Sequence, residues 1–148
     1  MYALILAVHN VNRWLILLAG AATLVVAVRG LKGDRPYAGT RRIGAAFMGT
    51  LHLQFTLGLG LFLTSPFVRA AMRDMQGTMR DPGMRFFIAE HPTLMVAAVV
   101  LATVGGIVAR NARDDAAKHR TLLVFTAVTL LVLLAGIPWQ RPFLPTLG

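Results

Sequence analysis

Apolar residues fall into four long blocks along the chain, with short polar segments between them. A helix that spans a bilayer needs about 20 mostly apolar residues, and each block is long enough. The pattern predicts an all-α fold, an integral-membrane four-helix bundle in a single domain over residues 1–148. The predicted spanning helices lie at about 3–29, 42–67, 86–110 and 119–139, with a short amphipathic helix at about 69–80.

Basic residues collect in the polar segments, and their distribution predicts an orientation. The segment 29–42 carries five Lys and Arg residues together with several Gly and Pro residues, which predict a non-helical connection. With the segment 110–120 it holds nine basic residues, against four in the segment 69–85. Because Lys and Arg favour the cytoplasmic side, the first and third connections are predicted to be cytoplasmic and both termini to lie on the outer side.

The composition is typical of a multi-pass membrane protein, and it excludes several kinds of metal and redox site. Hydrophobic residues make up 56% of the chain and charged residues 14%, whereas soluble domains carry about 25% charged residues. The net charge is +9, and the basic residues that give it lie mostly between the apolar blocks. This placement favours contact with the lipid bilayer and its anionic head groups over nucleic acid binding. Cysteine is absent, so disulfides, iron–sulfur clusters and thiolate metal sites are excluded.

Two histidines fall at matching depths in different blocks. With a rise of 1.5 Å per residue, His9 and His91 both lie roughly 10 Å above the predicted membrane centre. A haem with two axial histidines needs imidazoles on opposite faces of one iron, so the pair predicts a bis-histidine haem b. Arg13 follows His9 by one helical turn and is predicted to face a haem propionate or Glu90.

Small residues follow both histidines at helical spacing. A face of small side chains leaves room for a flat macrocycle, but in membrane helices it more often means close helix packing. Both interpretations stay open at this point. The two faces are His91, Met95, Ala98, Ala102 and Gly105 in the third block, and His9, Arg13, Ile16 and Gly20 in the first.

His52 and Gln54 lie in the middle of the second block. His52 is within about 5 Å of the predicted membrane centre, where polar groups usually face a bundle interior, a cavity or a bound group. The two residues are predicted to ligate a second cofactor or to line a quinone pocket. His119 could pair with His52 on a second haem, although their predicted depths differ by about 12 Å. The simpler prediction for His119 is a solvated residue at the interface.

Four methionines follow the second block, at positions 72, 75, 79 and 84. Their spacing is typical of the apolar face of an interfacial helix, and it also suits a soft Cu(I) site. Copper handling is therefore an alternative function.

The chain resembles a group of small bacterial inner-membrane proteins that are labelled cytochrome b. The motifs that carry the resemblance are His9-x-x-x-Arg13-Trp14, His52-x-Gln54 followed by Ser65-Pro66, Arg85-Phe86-Phe87 leading to Glu90-His91, and Ile137-Pro138-Trp139 with Arg141-Pro142. More distantly, the pattern is similar to diheme b-type cytochromes, including the superoxide-oxidising kind. The resemblance implies a location in the bacterial inner (plasma) membrane, with His9, His52 and His91 as haem or metal ligands. It leaves the number of haems, one or two, open, because a diheme protein needs four well-placed ligands.

Three functions are compatible with these patterns. The leading hypothesis is a b-type cytochrome that moves electrons between the quinone pool and a partner on the outer side. The alternatives are a copper-handling membrane protein and a cofactor-free structural subunit of a respiratory membrane complex. The sequence contains no Ser-His-Asp arrangement and no phosphate loop, so any enzymatic activity is expected to be that of a quinone-linked oxidoreductase.

Overall fold

The computed structural model describes residues 2–33 and 35–139, and the fold is all-helical. Within these residues four helical segments are long and apolar enough to cross a membrane: Tyr2–Gly33, Tyr37–Thr64, Pro82–Arg110 and Asp115–Gly136. The predicted four-helix architecture is therefore confirmed. In chain order the elements are α1 (Tyr2–Gly33), α2 (Tyr37–Thr64), α3 (Pro66–Arg73), α4 (Met75–Arg80), α5 (Pro82–Arg85), a π-helical turn (Phe86–Glu90), α6 (His91–Arg110) and α7 (Asp115–Gly136).

The core lies where the four long helices meet. Helix α1 packs against α2 and α7, and α6 packs against α7 and α2. A Cβ atom added to Gly105 would overlap Phe125, so the backbones of α6 and α7 approach closely at this point. The buried apolar residues at the centre are Ile16, Phe47, Leu51, Ala98, Ala102 and Leu133.

The first connection is shorter than the sequence predicted. Helix α1 continues to Gly33 and α2 begins at Tyr37, so most of the segment 29–42 is helical and the prediction of a non-helical connection is wrong. The start of α2 is held by α7, because the backbone N–H of Tyr37 donates to Asp115 Oδ2 at 2.9 Å. The first N–H groups of a helix have no partner within the helix, and Asp115 supplies one for Tyr37.

The amphipathic segment predicted at 69–80 is divided into two helices. Helix α2 ends at Thr64, and Ser65 caps α3 by accepting a hydrogen bond from the Val68 N–H at 3.3 Å. Asp74 interrupts the segment and caps α4 by accepting from the Gly77 N–H at 2.9 Å. Short polar side chains of this kind offer the backbone an alternative to continuing the helix.

Helix α7 begins four residues earlier than predicted. Asp114 caps it, since Oδ1 accepts a hydrogen bond from the Ala117 N–H at 2.7 Å. This bond favours the charged carboxylate and lowers the pKa of Asp114. His119 consequently lies inside α7, and the helix ends at Gly136. The motif at Arg141 and Pro142 lies outside the described residues.

A π-helical turn precedes α6 directly. The backbone N–H of His91 donates to the carbonyl of Phe86, five residues earlier. In such a turn residues five apart face the same side, whereas in an α-helix they do not. The turn therefore sets which side chains of the preceding segment lie beside His91.

Candidate functional site

The rings of His9 and His91 lie next to each other near one end of the bundle. Their centroids are 6.4 Å apart and their planes are inclined by 70°. His9 comes from α1 and His91 from the first residue of α6. The prediction that these two residues converge is confirmed, while their role as ligands stays a prediction.

The hydrogen bond of His91 fixes which nitrogen carries the proton. Nδ1 lies 2.7 Å from the carbonyl oxygen of Gly136. A carbonyl only accepts, so Nδ1–H is the donor and Nε2 of the neutral ring keeps its lone pair. Histidines that bind metals usually have this arrangement, because a hydrogen bond to the other nitrogen fixes the tautomer and orients the ring. Phe86 covers the ring, with centroids 6.0 Å apart.

His9 is bordered by a glycine of α2. A Cβ atom added to Gly58 would lie 3.4 Å from His9 Nε2, so a larger side chain at this position would press on the nitrogen. Among the described residues neither ring nitrogen of His9 has a hydrogen-bond partner. The lone pair of His9 is therefore available in this arrangement.

Two amides hold the backbone of His9 against α2. Asn12 Nδ2 donates to the carbonyl of Thr50 at 3.0 Å and to Gln54 Oε1 at 2.9 Å. Gln54 Nε2 in turn donates to the carbonyl of His9 at 3.0 Å. We call Asn12 and Gln54 the amide clamp; both are buried. Sequence reasoning selected Gln54 as a cofactor residue and missed Asn12, although an amide inside each of two apolar blocks was the available signal.

Arg13 lies one turn from His9 and is buried with 8% of its surface exposed. Its guanidinium carbon lies 5.4 Å from the centroid of the Trp14 ring, within cation–π range. Glu90, one of its two predicted partners, forms an ion pair with Arg85 at 2.7 Å. The structure thus directs Glu90 to Arg85 and places Arg13 in the interior beside the histidine pair.

His52 lies on the outer surface of the bundle, so the expectation that it faces the interior is wrong. The interior side of this turn is occupied by Leu51 and Gln54, and His52 is rotated away from both. Its Nδ1 lies 2.8 Å from the carbonyl of Met48, and its Nε2 lies 3.3 Å from Thr103 Oγ1 on α6. His52 and Gln54 consequently face different sides and do not line one pocket.

His119 is buried with 1% of its surface exposed, which corrects the prediction of a solvated residue. Its Nε2 donates to the carbonyl of Arg35 at 3.0 Å, and Tyr37 packs on the ring edge with centroids 5.4 Å apart. A Cβ atom on Gly30 would overlap the ring, so this glycine makes the room that the histidine fills. Among the described residues no contact joins His119 to His52, and they do not form a second ligand pair.

The small-residue face below His91 is used for helix packing. Ala98 and Ala102 belong to the same buried apolar cluster as Phe47 and Leu51, so this part of α6 contributes to the packed core. The other candidate metal residues are dispersed: Met79 and Met84 pack in an apolar cluster with Val68, Ala71 and Ile88, while Met72 and Met75 are exposed. Over residues 2–33 and 35–139 no group of three or more His, Cys, Asp or Glu residues could hold a metal ion.

Comparison of the chain with protein-family models, with curated proteins and with solved structures gives no match. The function is therefore argued from the geometry of the histidine pair and its surroundings.

Proposed function

We propose that this protein is a b-type cytochrome of the bacterial inner membrane, with His9 and His91 as axial ligands of one haem. In this proposal both termini lie on the outer side of the membrane, and electrons pass between the quinone pool and a partner on that side. The observation that supports it most is the contact of two imidazoles from separate long helices, 6.4 Å apart between centroids.

The separation of the two rings is close to what a shared metal requires. A metal–imidazole bond is about 2 Å long, so two rings whose nitrogens both point at one metal have centroids about 6 Å apart. His91 has its Nδ1 proton engaged by Gly136, which leaves Nε2 as the donor atom for a metal. His9 Nε2 lies beside Gly58, where the absent side chain leaves space at the nitrogen.

The surrounding residues have defined roles in this proposal. Arg13 places a buried positive charge one turn from His9, where it would neutralise a propionate and lower the cost of burying it. Phe86 supplies an aromatic neighbour for the His91 ring, with centroids 6.0 Å apart. When bound, haem supplies a one-electron redox couple, whose potential depends on its ligands and their surroundings. Because Ala98 and Ala102 belong to the buried core, the residues that would hold the group are those above them, at the level of His9, His91 and Gly58.

The test is the visible spectrum of protein purified after expression with ample haem. We expect a Soret band, and sharp α and β bands after reduction with dithionite. Replacing His9 or His91 with Ala is expected to abolish the low-spin spectrum, because one imidazole alone does not complete the axial pair. His52→Ala is the matched control, since His52 faces the outer surface, and it is expected to keep the spectrum. No Soret band, or a spectrum that survives both His9→Ala and His91→Ala, would overturn the proposal.

The quinone part of the proposal rests on a groove between α1 and α2. The groove has a volume of about 330 Å³, and its lining is apolar except for Asn12. A quinone in the lipid would reach it directly, close to the His9 turn. Val11→Trp, which fills the groove from an exposed position, is expected to slow quinol-dependent reduction and to leave reduction by dithionite unchanged. Equal rates of quinol-dependent reduction in the wild type and in Val11→Trp would show that quinol does not bind in this groove.

One observation favours a second function, that of a subunit in a larger membrane complex. Gly49, His52 and Thr56 form a small and polar strip on the outer surface of α2. Small and polar residues on membrane helices are typical of contacts with other helices. Cross-linking from position 49 in native membranes tests it: a product with another membrane protein supports it, and a monomer alone argues against it.

A further inference from the structure

A groove opens between α2, α6 and α7 at the end of the bundle opposite the histidine pair. This end, formed by residues 29–42 and 110–120, is called the basic end. The groove has a volume of about 130 Å³. Its walls are mostly apolar, and they include Ala45, Met48 and Gly106. The groove therefore suits a few methylene groups of a chain that continues along the outer surface.

Two arginines line the same groove. Arg41 comes from α2 and Arg110 from the end of α6, and both side chains are exposed. Both guanidinium groups are close enough to Tyr37 to interact with it electrostatically. Two positive charges at one end of an apolar groove match a molecule with an anionic head and an apolar tail.

Two acidic residues of the basic end, Asp114 and Asp115, are engaged elsewhere. Asp114 pairs with Arg113 at 3.0 Å, and Asp115 pairs with Lys118 at 3.1 Å. Within residues 2–33 and 35–139 neither arginine of the groove has an ion-pair or hydrogen-bond partner. Their charges are thus available to an external anion.

Further from the arginines, α2 and α6 approach each other along the groove. Met48 Sδ would lie 3.5 Å from a Cβ atom on Gly106, which places α2 and α6 close together there. One turn beyond Met48, His52 Nε2 reaches Thr103 Oγ1 across the same two helices. A ligand in the groove therefore has its polar part at the arginines and its apolar part between them and His52.

We propose that this groove binds an anionic phospholipid, with the headgroup phosphate on Arg41 and Arg110 and the start of one acyl chain against Ala45 and Gly106. Basic pockets between spanning helices bind anionic lipid head groups for the same electrostatic reason. This site is separate from the histidine pair, and the inference does not depend on haem binding.

Native mass spectrometry of delipidated protein in detergent tests the proposal with phosphatidylglycerol and phosphatidylcholine of identical acyl chains. Wild-type protein is expected to bind phosphatidylglycerol more tightly. R41Q/R110Q is expected to weaken that binding by about tenfold or more and to change phosphatidylcholine binding little, because two charges near the headgroup are lost. R42Q/R120Q is the matched control, since it removes two charges from the same end but outside the groove, and it is expected to bind as the wild type does.

A third variant separates the groove from the charges alone. Ala45→Phe narrows the groove and keeps every charge, and it is expected to weaken both lipids; circular dichroism verifies that each variant is folded. Equal losses in the two arginine pairs would mean that the whole basic end attracts the lipid, and would overturn the proposal. Unchanged binding by Ala45→Phe would overturn it too, as would displacement of the lipid by glycerol phosphate alone.

Discussion

Replacing Gln54 with Leu tests the amide clamp that holds His9 against α2. The substitution removes two hydrogen bonds between α1 and α2, a buried one from Asn12 and a partly buried one to the carbonyl of His9. Measured hydrogen bonds between membrane helices average about 0.6 kcal/mol each and reach about 1.7 kcal/mol. The free energy of unfolding is therefore expected to fall by about 1–3 kcal/mol, which includes the cost of an Asn12 side-chain N–H left buried without an acceptor.

Asn12→Leu completes a double-mutant cycle with Gln54→Leu. Asn12 also makes two bonds, and the one to Gln54 is shared by the two residues. The double variant should consequently lose less than the sum of the single losses, by about 0.6–1.7 kcal/mol. Thr56→Val is the control, because its hydroxyl is exposed and bonds only within its own helix, and it is expected to change the free energy of unfolding by less than about 0.5 kcal/mol.

The assay is unfolding by increasing SDS in mixed micelles, followed by tryptophan fluorescence. The same variants are then loaded with haem, since the clamp positions His9 without touching the proposed ligand atom. We expect Gln54→Leu to release haem faster than Thr56→Val does. The geometry implies that the two residues are coupled. This is refuted if the loss of unfolding free energy in the double variant equals the sum of the two single losses to within about 0.3 kcal/mol.

Two further predictions concern the basic end. Gly30→Ala is expected to lower the melting temperature strongly, because its Cβ would overlap the buried ring of His119. Gly49→Ala is the control, since a Cβ at this position meets nothing within 4 Å, and it is expected to be tolerated. Equal melting temperatures of the two variants would contradict the prediction. Asp114→Asn is expected to destabilise the protein at pH 7. Since the bond from Ala117 lowers the pKa of Asp114 in the folded protein, its contribution is complete above the unfolded pKa of about 3.9 and is lost as the pH falls through the folded value. A melting temperature of Asp114→Asn that matches the wild type at pH 7, or that falls as steeply as the wild type below pH ~4, would contradict it.

The sequence predicted the elements well where apolar periodicity was long and uninterrupted. The four blocks became the four long helical segments, and residues such as Ile16 and Ala98 lie in the core, on the faces that their spacing gave. The ends were less predictable because they depend on partners distant in the chain. Helix α1 continues through Gly30, where the missing side chain leaves room for His119. Helix α2 begins at Tyr37, whose N–H donates to Asp115.

The site was predictable in part for the same reason. Depth along two helices brought His9 and His91 to one level, and the structure places their rings in contact. Rotation about the helix axis was harder to predict. His52 and Gln54 are two residues apart and face different sides, and only the packing of Leu51 and its neighbours decides which one lies inside.

The π-helical turn at Phe86–Glu90 makes the segment before His91 tolerant of a change in its length by one residue. A π turn holds one residue more than the α-helical backbone needs, so deleting Ala89 would restore regular winding without breaking the helix. Phe86 would then precede His91 by four residues instead of five, a spacing that keeps both side chains on one face of an α-helix. The aromatic contact on the imidazole would therefore survive the deletion, and the register of the α6 core would stay as it was.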